Sequence, residues 1–561
     1  MNEKWRDVLS KPKYSLKLEK DVRVSMRDGV PIATDIYRPD AEGQFPALLS
    51  ISPYGKGLQT LPVPDFPSDS RLGNGGIEAG NSEYFVSRGY IHVIADCRGT
   101  GYSGGAYRVL TKKEYEDGHD LVEWVATQPW CNGNVGFLGM SYFSMIQFGI
   151  AAENPPHLKA LFAFDALTDM YRHWGYHGGI LNLGFFLHWW PTVLAHTIES
   201  PDLPEAELRQ LVEEIEKDGD IRSYPIAYIA LLFPQKNIHL FDLLTHPLDG
   251  SYYWERSAYT KFEKIKIPCY MLSRWTAWGL HLPGAFSAYS GIDAPKKLMI
   301  TIPESGSGFN RPWVKECHDL VLRWYDYWLK GINTGIMDEP PISILVQGVN
   351  RWREEDDWPL AGTKWTKFYL RGQGLLSPEP PGEGETPDVF TNKFGLKPGE
   401  KVPSITYTTP PLAEDIEVTG QSALYLRAAL STDDTNWMIE LRDVAPDGAS
   451  KTLTMGWLKA SHWEIDETRS QEYQPFHPHT RRAPIETGKV YEYAIDIRET
   501  SVVFQRGHRI QILIKAQDAP WEGKEYFHAF LYHLPRSKET QHTIYHTPER
   551  LSYVILPVIP K

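Results

Sequence analysis

Apolar and polar positions over roughly the first 170 residues switch between three patterns: alternation, short unbroken apolar runs, and helical spacing. Val22-Arg23-Val24-Ser25-Met26 alternates, Arg27-Asp28-Gly29 turns, and Ile32 to Tyr37 resumes, which predicts a hairpin across an Asp-Gly turn. Phe45 to Ile51 and Tyr90 to Asp96 are short apolar runs, the mark of strands covered on both faces. Glu114 to Trp130 carries Leu121, Trp124 and Val125 on one stripe and reads as a helix. A strand ending at Gly136-Phe137-Leu138-Gly139 follows, then a helix from Ser141 to Asn154 stopped by Pro155-Pro156, then a strand from Leu158 to Phe164. Strands alternating with helices imply a parallel sheet with right-handed crossovers.

From Thr168 to Tyr259 the strand signals fade. Pro204 to Asp218 looks helical and Leu181 to Ala195 is dense in aromatic residues, so this stretch reads as a helical insertion over the sheet. Strands return at Ile267 to Ser273 and Lys297 to Ile302, and Cys317 to Lys330 is a helix ended by Gly331. Beyond Asp338 short alternating strands dominate. In Arg509-Ile510-Gln511-Ile512-Leu513-Ile514-Lys515 the isoleucines share one face, and Trp437 to Val444 runs into the turn Pro446-Asp447-Gly448. Such strands predict a β-sandwich or jelly roll, with Gly372 to Pro387 as a long surface loop. The chain thus divides into a first α/β part (1–167), a helical cap insertion (168–259), a second α/β part (260–338) and an all-β domain (339–561).

Bulk properties narrow the function classes. A chain of 561 residues exceeds one core and implies two to four domains. The net charge of -13 gives no support to binding nucleic acid or an anionic membrane. The N-terminus lacks an apolar signal core, and no apolar run is long enough to span a bilayer. Cys97, Cys131, Cys269 and Cys317 form no CxxC pair and no disulfide framework, so a cytoplasmic location is expected. The 19 Trp, 30 Tyr and 22 Phe fit either large cores or an aromatic-lined pocket.

Gly139-Met140-Ser141-Tyr142 lies between a predicted strand and a predicted helix, the context of a nucleophile elbow. The usual G-x-S-x-G has Phe143 in its last position here, followed by Ser144. An ordinary strand-to-helix loop with a serine is the competing reading. Gly99-Thr100-Gly101-Tyr102-Ser103-Gly104 matches a dinucleotide fingerprint, but a polar loop through Lys113 separates it from the next helix, so a structural or rim loop fits better. His173 and His177 are spaced i, i+4 without the glutamate of a zinc helix, and His477-Pro478-His479 reads as a polar loop. Neither a metal nor a cofactor is expected.

Several runs, taken in order, resemble the cocaine-esterase and Xaa-Pro dipeptidyl-peptidase family of serine hydrolases. They are Met26-Arg27-Asp28-Gly29, Asp35-Ile36-Tyr37-Arg38-Pro39, Pro53-Tyr54-Gly55-Lys56, Asp96 through Gly104, Gln128-Pro129-Trp130-Cys131-Asn132-Gly133, the elbow, and Arg323-Trp324-Tyr325-Asp326-Tyr327-Trp328-Leu329-Lys330-Gly331. Val418-Thr419-Gly420 and the alternating strands fit the family's jelly roll. The resemblance implies an α/β-hydrolase domain, an inserted helical cap and a C-terminal jelly roll. It also implies Ser141 as nucleophile, with Tyr54 and the backbone N–H of Tyr142 as oxyanion donors.

The family's acid lies in a G-W-x-D-like motif, and the matching Arg274-Trp275-Thr276-Ala277 puts Ala277 in the Asp position. Its histidine lies in a G-P-W-x-H-like motif, and the matching Ile302-Pro303-Glu304-Ser305-Gly306 puts Gly306 in the His position. A serine without a base is a poor nucleophile. A displaced base is expected instead: His281 first, then His318 and Glu304. A reaction needing only an oxyanion hole and a shaped pocket, or a silent relative, are the other readings. The expectation is a serine hydrolase cleaving a small-molecule ester or amide, with Trp174, Phe185, Phe186, Trp189, Trp190 and Trp275 lining an apolar substrate pocket. The alternative is a non-hydrolytic member of the fold that binds a small apolar ligand. A homo-oligomer is compatible with either reading.

Overall fold

A computed structural model describes residues 3–60, 78–186, 189, 204–225, 227–228, 238–301, 315–397, 399–518 and 532–561. The alternating half builds a ten-stranded sheet of β1 (Leu16–Ser25), β2 (Pro31–Pro39), β3 (Phe45–Ser52), β4 (Ile91–Asp96), β5 (Cys131–Phe137), β6 (Leu158–Phe164), β9 (Cys269–Arg274), β10 (Lys296–Thr301), β11 (Ile342–Val346) and β12 (Arg351–Glu355). The spatial order is β1-β2-β4-β3-β5-β6-β9-β10-β11-β12. The strands from β4 through β11 in that order run parallel, and β1, β2 and β12 pair antiparallel at the edges. The apolar runs occupy the centre because helices cover both faces.

Helices α2 (Lys112–Ala126) and α3 (Tyr142–Ala152) interlock on one face. Their contact is close because two glycines face large side chains: a Cβ on Gly118 would lie 2.1 Å from Ile150, and one on Gly149 would lie 2.1 Å from Tyr115. The helix predicted from Glu114 begins two residues earlier and stops at Ala126; the Ser141–Asn154 helix starts at Tyr142, with Ser141 on the turn before it. On the other face Tyr325 and Trp324 of the helix Lys315–Lys330 are buried against the sheet, Tyr325 donating to the Phe137 carbonyl.

Between β6 and β9 the chain makes a π-helical turn (Tyr171–Gly175), a hairpin of β7 (Tyr176–His177) and β8 (Ile180–Leu181), and helices including Glu205–Ile215 and Ile238–Thr245. The C-terminal strands form an eleven-stranded sheet. Within it β17 (Ile416–Leu430) pairs with both β20 (Tyr491–Phe504) and β23 (Tyr553–Ile559), so the sheet returns on itself as a barrel-like double layer around Leu424, Trp437, Ile512 and Leu556. The two large sheets meet through backbone bonds between Gln347 and β20: Gln347 N donates to Ser501 O at 3.0 Å and Val503 N donates to Gln347 O at 3.0 Å. The cap hairpin rests on the barrel so closely that a Cβ on Gly178 would lie 2.0 Å from the Trp457 carbonyl oxygen.

The α2–α3 contact sets where α3, and hence Ser141, can sit. Gly149→Ala overpacks it and should cost about 1–3 kcal/mol, read as a lower urea midpoint at unchanged slope.

Candidate active site

Ser141 stands between the end of β5 and the first turn of α3 with φ 57° and ψ -117°, a backbone conformation that costs a non-glycine residue about 1–3 kcal/mol. Four bonds hold it there. Met140 N donates to Glu78 O at 2.9 Å, Ser141 N donates to Phe164 O at 3.0 Å, and Ser144 Oγ donates to Gly139 O at 2.7 Å while accepting from Phe164 N at 2.7 Å. Gly139, at φ 141°, explains how Phe143 replaces the usual glycine of the pattern. A Cβ on Gly139 would lie 2.2 Å from the Phe143 Cβ, so the glycine before the serine supplies the room that the missing glycine after it would have given.

His281 is the residue that meets the serine: Ser141 Oγ lies 3.1 Å from His281 Nε2. The histidine is the N-cap of the helix Leu282–Gly291, which follows β9 and a one-turn 3-10 segment at Trp275–Ala277. Gly284 lets this helix press on the end of β6, where a Cβ would lie 2.1 Å from the Ala166 carbonyl oxygen, and that approach carries His281 to the elbow. Ala277, in the family's acid position, is buried one turn earlier and its carbonyl accepts from His281 N at 2.9 Å. Burial lowers the His281 imidazole to about 4, Asp165 opposing the shift and Arg274 reinforcing it. The ring is therefore neutral near neutral pH. With Nε2 accepting from the serine, the ring proton lies on Nδ1, which has no hydrogen-bond partner among the described residues.

Tyr54 neighbours the same serine. Its loop is fixed from β4: the Asp96 carboxylate accepts from Lys56 N at 2.6 Å and from Tyr102 N at 2.9 Å. The Gly99–Gly104 loop thus wraps a carboxylate rather than a phosphate, and a Cβ on Gly101 would lie 2.2 Å from Asp96 Oδ2. Trp189 Nε1 donates to the Tyr54 hydroxyl oxygen at 3.0 Å, which leaves the phenolic hydrogen to donate elsewhere. Burial, with the nearby Glu78, raises the phenol well above its ordinary range, so it stays a donor. The Tyr142 amide is the first of α3 and has no intrahelical acceptor by position. The Tyr142 hydroxyl points away, donating to Glu114 at 3.0 Å.

The cap aromatics form one chain toward Tyr54. Trp174 packs on Phe186 at 4.7 Å and on Trp189 at 5.9 Å, and Phe185 stacks on Trp189 at 5.8 Å. Trp275 does not join them: its indole donates to Leu345 O at 2.7 Å and its ring stacks on Phe286, because the 3-10 turn directs it to the β11 side of the sheet. Trp190, Glu304 and Gly306 lie outside the described residues. His318 is not a base for this serine, since its Nε2 accepts from Asn81 N at 3.2 Å and its ring packs on Tyr84 and Phe85. His173 and His177 do not converge on one point: His177 Nδ1 lies 2.8 Å from His533 Nε2, and His533 Nδ1 lies 2.6 Å from Asp518. Among the described residues no three His, Cys, Asp or Glu side chains gather to hold a metal ion.

Two residues near the serine escape sequence reasoning. Asp165 ends β6 fully buried, ion-paired with Arg274 and accepting from Ser273 Oγ at 2.8 Å. A charge closing the apolar run Leu158–Phe164 was its only signal. Glu78 lies behind the elbow, its carboxyl pushed up to about 8 by burial and by Asp165; nothing in the local sequence marks it.

A strained serine carrying an imidazole on its hydroxyl, beside a phenol and a helix amide, on a parallel sheet, defines a serine hydrolase of the α/β-hydrolase fold. The comparisons agree. Residues 28–304 match the model of the X-Pro dipeptidyl-peptidase (S15 family), and residues 334–555 match the X-Pro dipeptidyl-peptidase C-terminal non-catalytic domain. The chain is similar to cocaine esterase of Rhodococcus sp., 27% identical over 96% of this chain and 98% of that one. It is 29% identical to the Xaa-Pro dipeptidyl-peptidase of Lactobacillus helveticus over 56% of this chain and 40% of that one. The fold is that of a CocE/NonD family hydrolase from Staphylococcus aureus, with a TM-score of 0.80, 23% identity, and coverage of 97% of this chain and 94% of that one. The chain belongs to the cocaine-esterase and Xaa-Pro dipeptidyl-peptidase family of α/β-hydrolases. Its relatives favour the hydrolase over the ligand-binding alternative.

The Asp165–Arg274 pair is the principal buried charge pair beside His281. Asp165→Asn removes the carboxylate paired with the buried Arg274 guanidinium and should cost about 3–5 kcal/mol by denaturant unfolding, while a loss below about 1 kcal/mol would show that the pair is replaceable.

Proposed function

We propose that this serine hydrolase cleaves a small-molecule ester or amide through an acyl-enzyme on Ser141, with His281 as the proton carrier. The contact that carries the reading is Ser141 Oγ to His281 Nε2, 3.1 Å. Neutral His281 takes the serine proton as the oxygen attacks the substrate carbonyl. The oxyanion that forms accepts from the Tyr54 hydroxyl and the Tyr142 amide, and a single such donor is commonly worth about 3–4 kcal/mol. Protonated His281 then returns its proton to the leaving group. Water, activated by the same imidazole, releases the acid. The phenol donates without a change of charge because it stays protonated.

The base comes from the loop after β9, where the family resemblance implies the acid, and Ala277 leaves no carboxylate in that position. A lone imidazole can move a proton, but it lacks the carboxylate that stabilises the imidazolium, so slower acylation than in a complete triad is expected. The substrate's acyl or leaving group is assigned to the aromatic chain Trp174, Phe186, Phe185 and Trp189 above Tyr54. Relatives named for an ester and for Xaa-Pro peptides bracket the substrate class. The expected location is the cytoplasm; among the described residues no helix is long and apolar enough to cross a membrane.

A fluorophosphonate probe should label the wild-type protein at Ser141 and leave Ser141→Ala unlabelled; equal labelling of both, or of neither, contradicts the proposal. The active form carries neutral His281, so kcat/KM should hold on acidification until pH approaches about 4 and fall below it as the ring protonates. A break near the ordinary histidine value of about 6.5 would contradict the buried, neutral base.

A further inference from the structure

Four groups from separate parts of the chain follow one another at the elbow: the Trp189 indole from the cap, the Tyr54 phenol, the Ser141 hydroxyl and the His281 imidazole. Trp189 Nε1 lies 3.0 Å from the Tyr54 oxygen, the phenol neighbours the Ser141 hydroxyl, and Ser141 Oγ lies 3.1 Å from His281 Nε2. All four residues are buried. The indole is held by ring contacts with Phe185 at 5.8 Å, Trp174 at 5.9 Å and His239 at 5.5 Å.

Each hydroxyl in this row can donate or accept, and a neutral imidazole carries its proton on either nitrogen, so the hydrogens can run in two senses. In one sense the phenol turns its hydrogen toward the serine, the serine donates to His281 Nε2, and the ring proton sits on Nδ1. In the other, His281 donates from Nε2 to the serine and the serine donates to the phenol oxygen. Only the first leaves Nε2 able to take the serine proton and the phenol hydrogen able to meet an oxyanion. The two ends of the row decide between them. His281 Nδ1 has no hydrogen-bond partner among the described residues, so no such bond fixes the tautomer from that end. At the other end stands a group that donates and never accepts, the indole N–H, which occupies the acceptor side of the phenol oxygen. The same contact favours negative charge on that oxygen, against the burial that raises the phenol, and so makes its O–H a stronger donor.

We infer that Trp189 is a positioning residue: its indole N–H, delivered by the cap, fixes the sense of the hydrogen bonds from Tyr54 through Ser141 to His281 and so keeps both the base and the oxyanion donor in their working forms. The assignment rests on the acyl-transfer reading of Ser141. It gives Trp189 a role apart from lining the substrate pocket, and it makes the cap part of the oxyanion machinery.

Two variants of the full-length protein test it. Trp189→Phe keeps an aromatic ring and loses the N–H; the benzothiophene isostere of tryptophan at the same position keeps the shape as well, which guards against a packing effect. Both should lower kcat about tenfold, less than the loss of an oxyanion donor itself. KM should change by less than about twofold. In a Tyr54→Phe background Trp189→Phe should lower kcat no further, because the group it acts through is gone. Nitrogen NMR of histidine-labelled protein, with the ring assigned by His281→Gln, should show the Nδ1–H form in wild type and a rise of the Nε2–H form in both variants. A raised KM with unchanged kcat would reduce Trp189 to a pocket wall, and an unchanged His281 tautomer in the isostere would overturn the assignment. The tautomer is read without turnover, so these failures are distinct from that of the Ser141 reading, which falls if the fluorophosphonate leaves wild-type Ser141 unlabelled.

Discussion

The left-handed backbone at Ser141 persists because its neighbours hold it from two sides. Glu78 O fixes the residue before it, Phe164 O fixes its own amide, and Ser144 ties Gly139 to β6. Those bonds offset the conformational cost of the turn and aim the hydroxyl out of the sheet. They also set the first amide of α3 beside it, so the hydroxyl and the amide proposed as nucleophile and oxyanion donor are positioned by one local geometry. The rest of the site is arranged around that fixed point.

What approaches it differs from the family pattern in one instructive way. The histidine arrives after β9 rather than after β10, on a helix whose Gly284 can touch the end of β6. Burial keeps the ring neutral near neutral pH but weakens it as a base, the opposite of what a carboxylate does in a complete triad. It does not stabilise the imidazolium, and Asp165, which favours that charge, is already engaged by Arg274 and Ser273. On the proposed reading His281 is a weak base.

The third element is the seam between cap, hydrolase sheet and barrel. Backbone bonds at Gln347 and the contact of Gly178 with Trp457 lock the barrel to the sheet and to the cap hairpin. The cap aromatics are therefore held over Tyr54 by a surface that includes the barrel, and the same seam bounds a cavity beyond the helix Leu282–Gly291. The barrel thus acts as a wall of the molecule's pockets as well as a separate core.

Much of this was legible in the chain. The Asp28-Gly29 hairpin, the unbroken apolar runs of β3, β4 and β6, and the alternation in β21 (Arg509–Lys515) announce themselves because local geometry and burial on one or two faces dictate residue type. The elbow at Ser141 was legible because a strand-to-helix turn constrains its immediate neighbours, while His281 stood there as one candidate beside His318 and Glu304. Trp275 was misread: its position after β9 suggested the pocket, but the 3-10 turn sends it to Leu345. Asp165, Glu78 and the junction cavity were not legible, since each depends on groups far apart in sequence meeting in a buried space. Sequence by itself determined the elements, the elbow and the resemblance, because those rest on short-range patterns of polarity and backbone freedom. Only tertiary structure decided which imidazole reaches the serine, which carboxyls share its surroundings and what the seam encloses, because those depend on packing distances that no local pattern encodes.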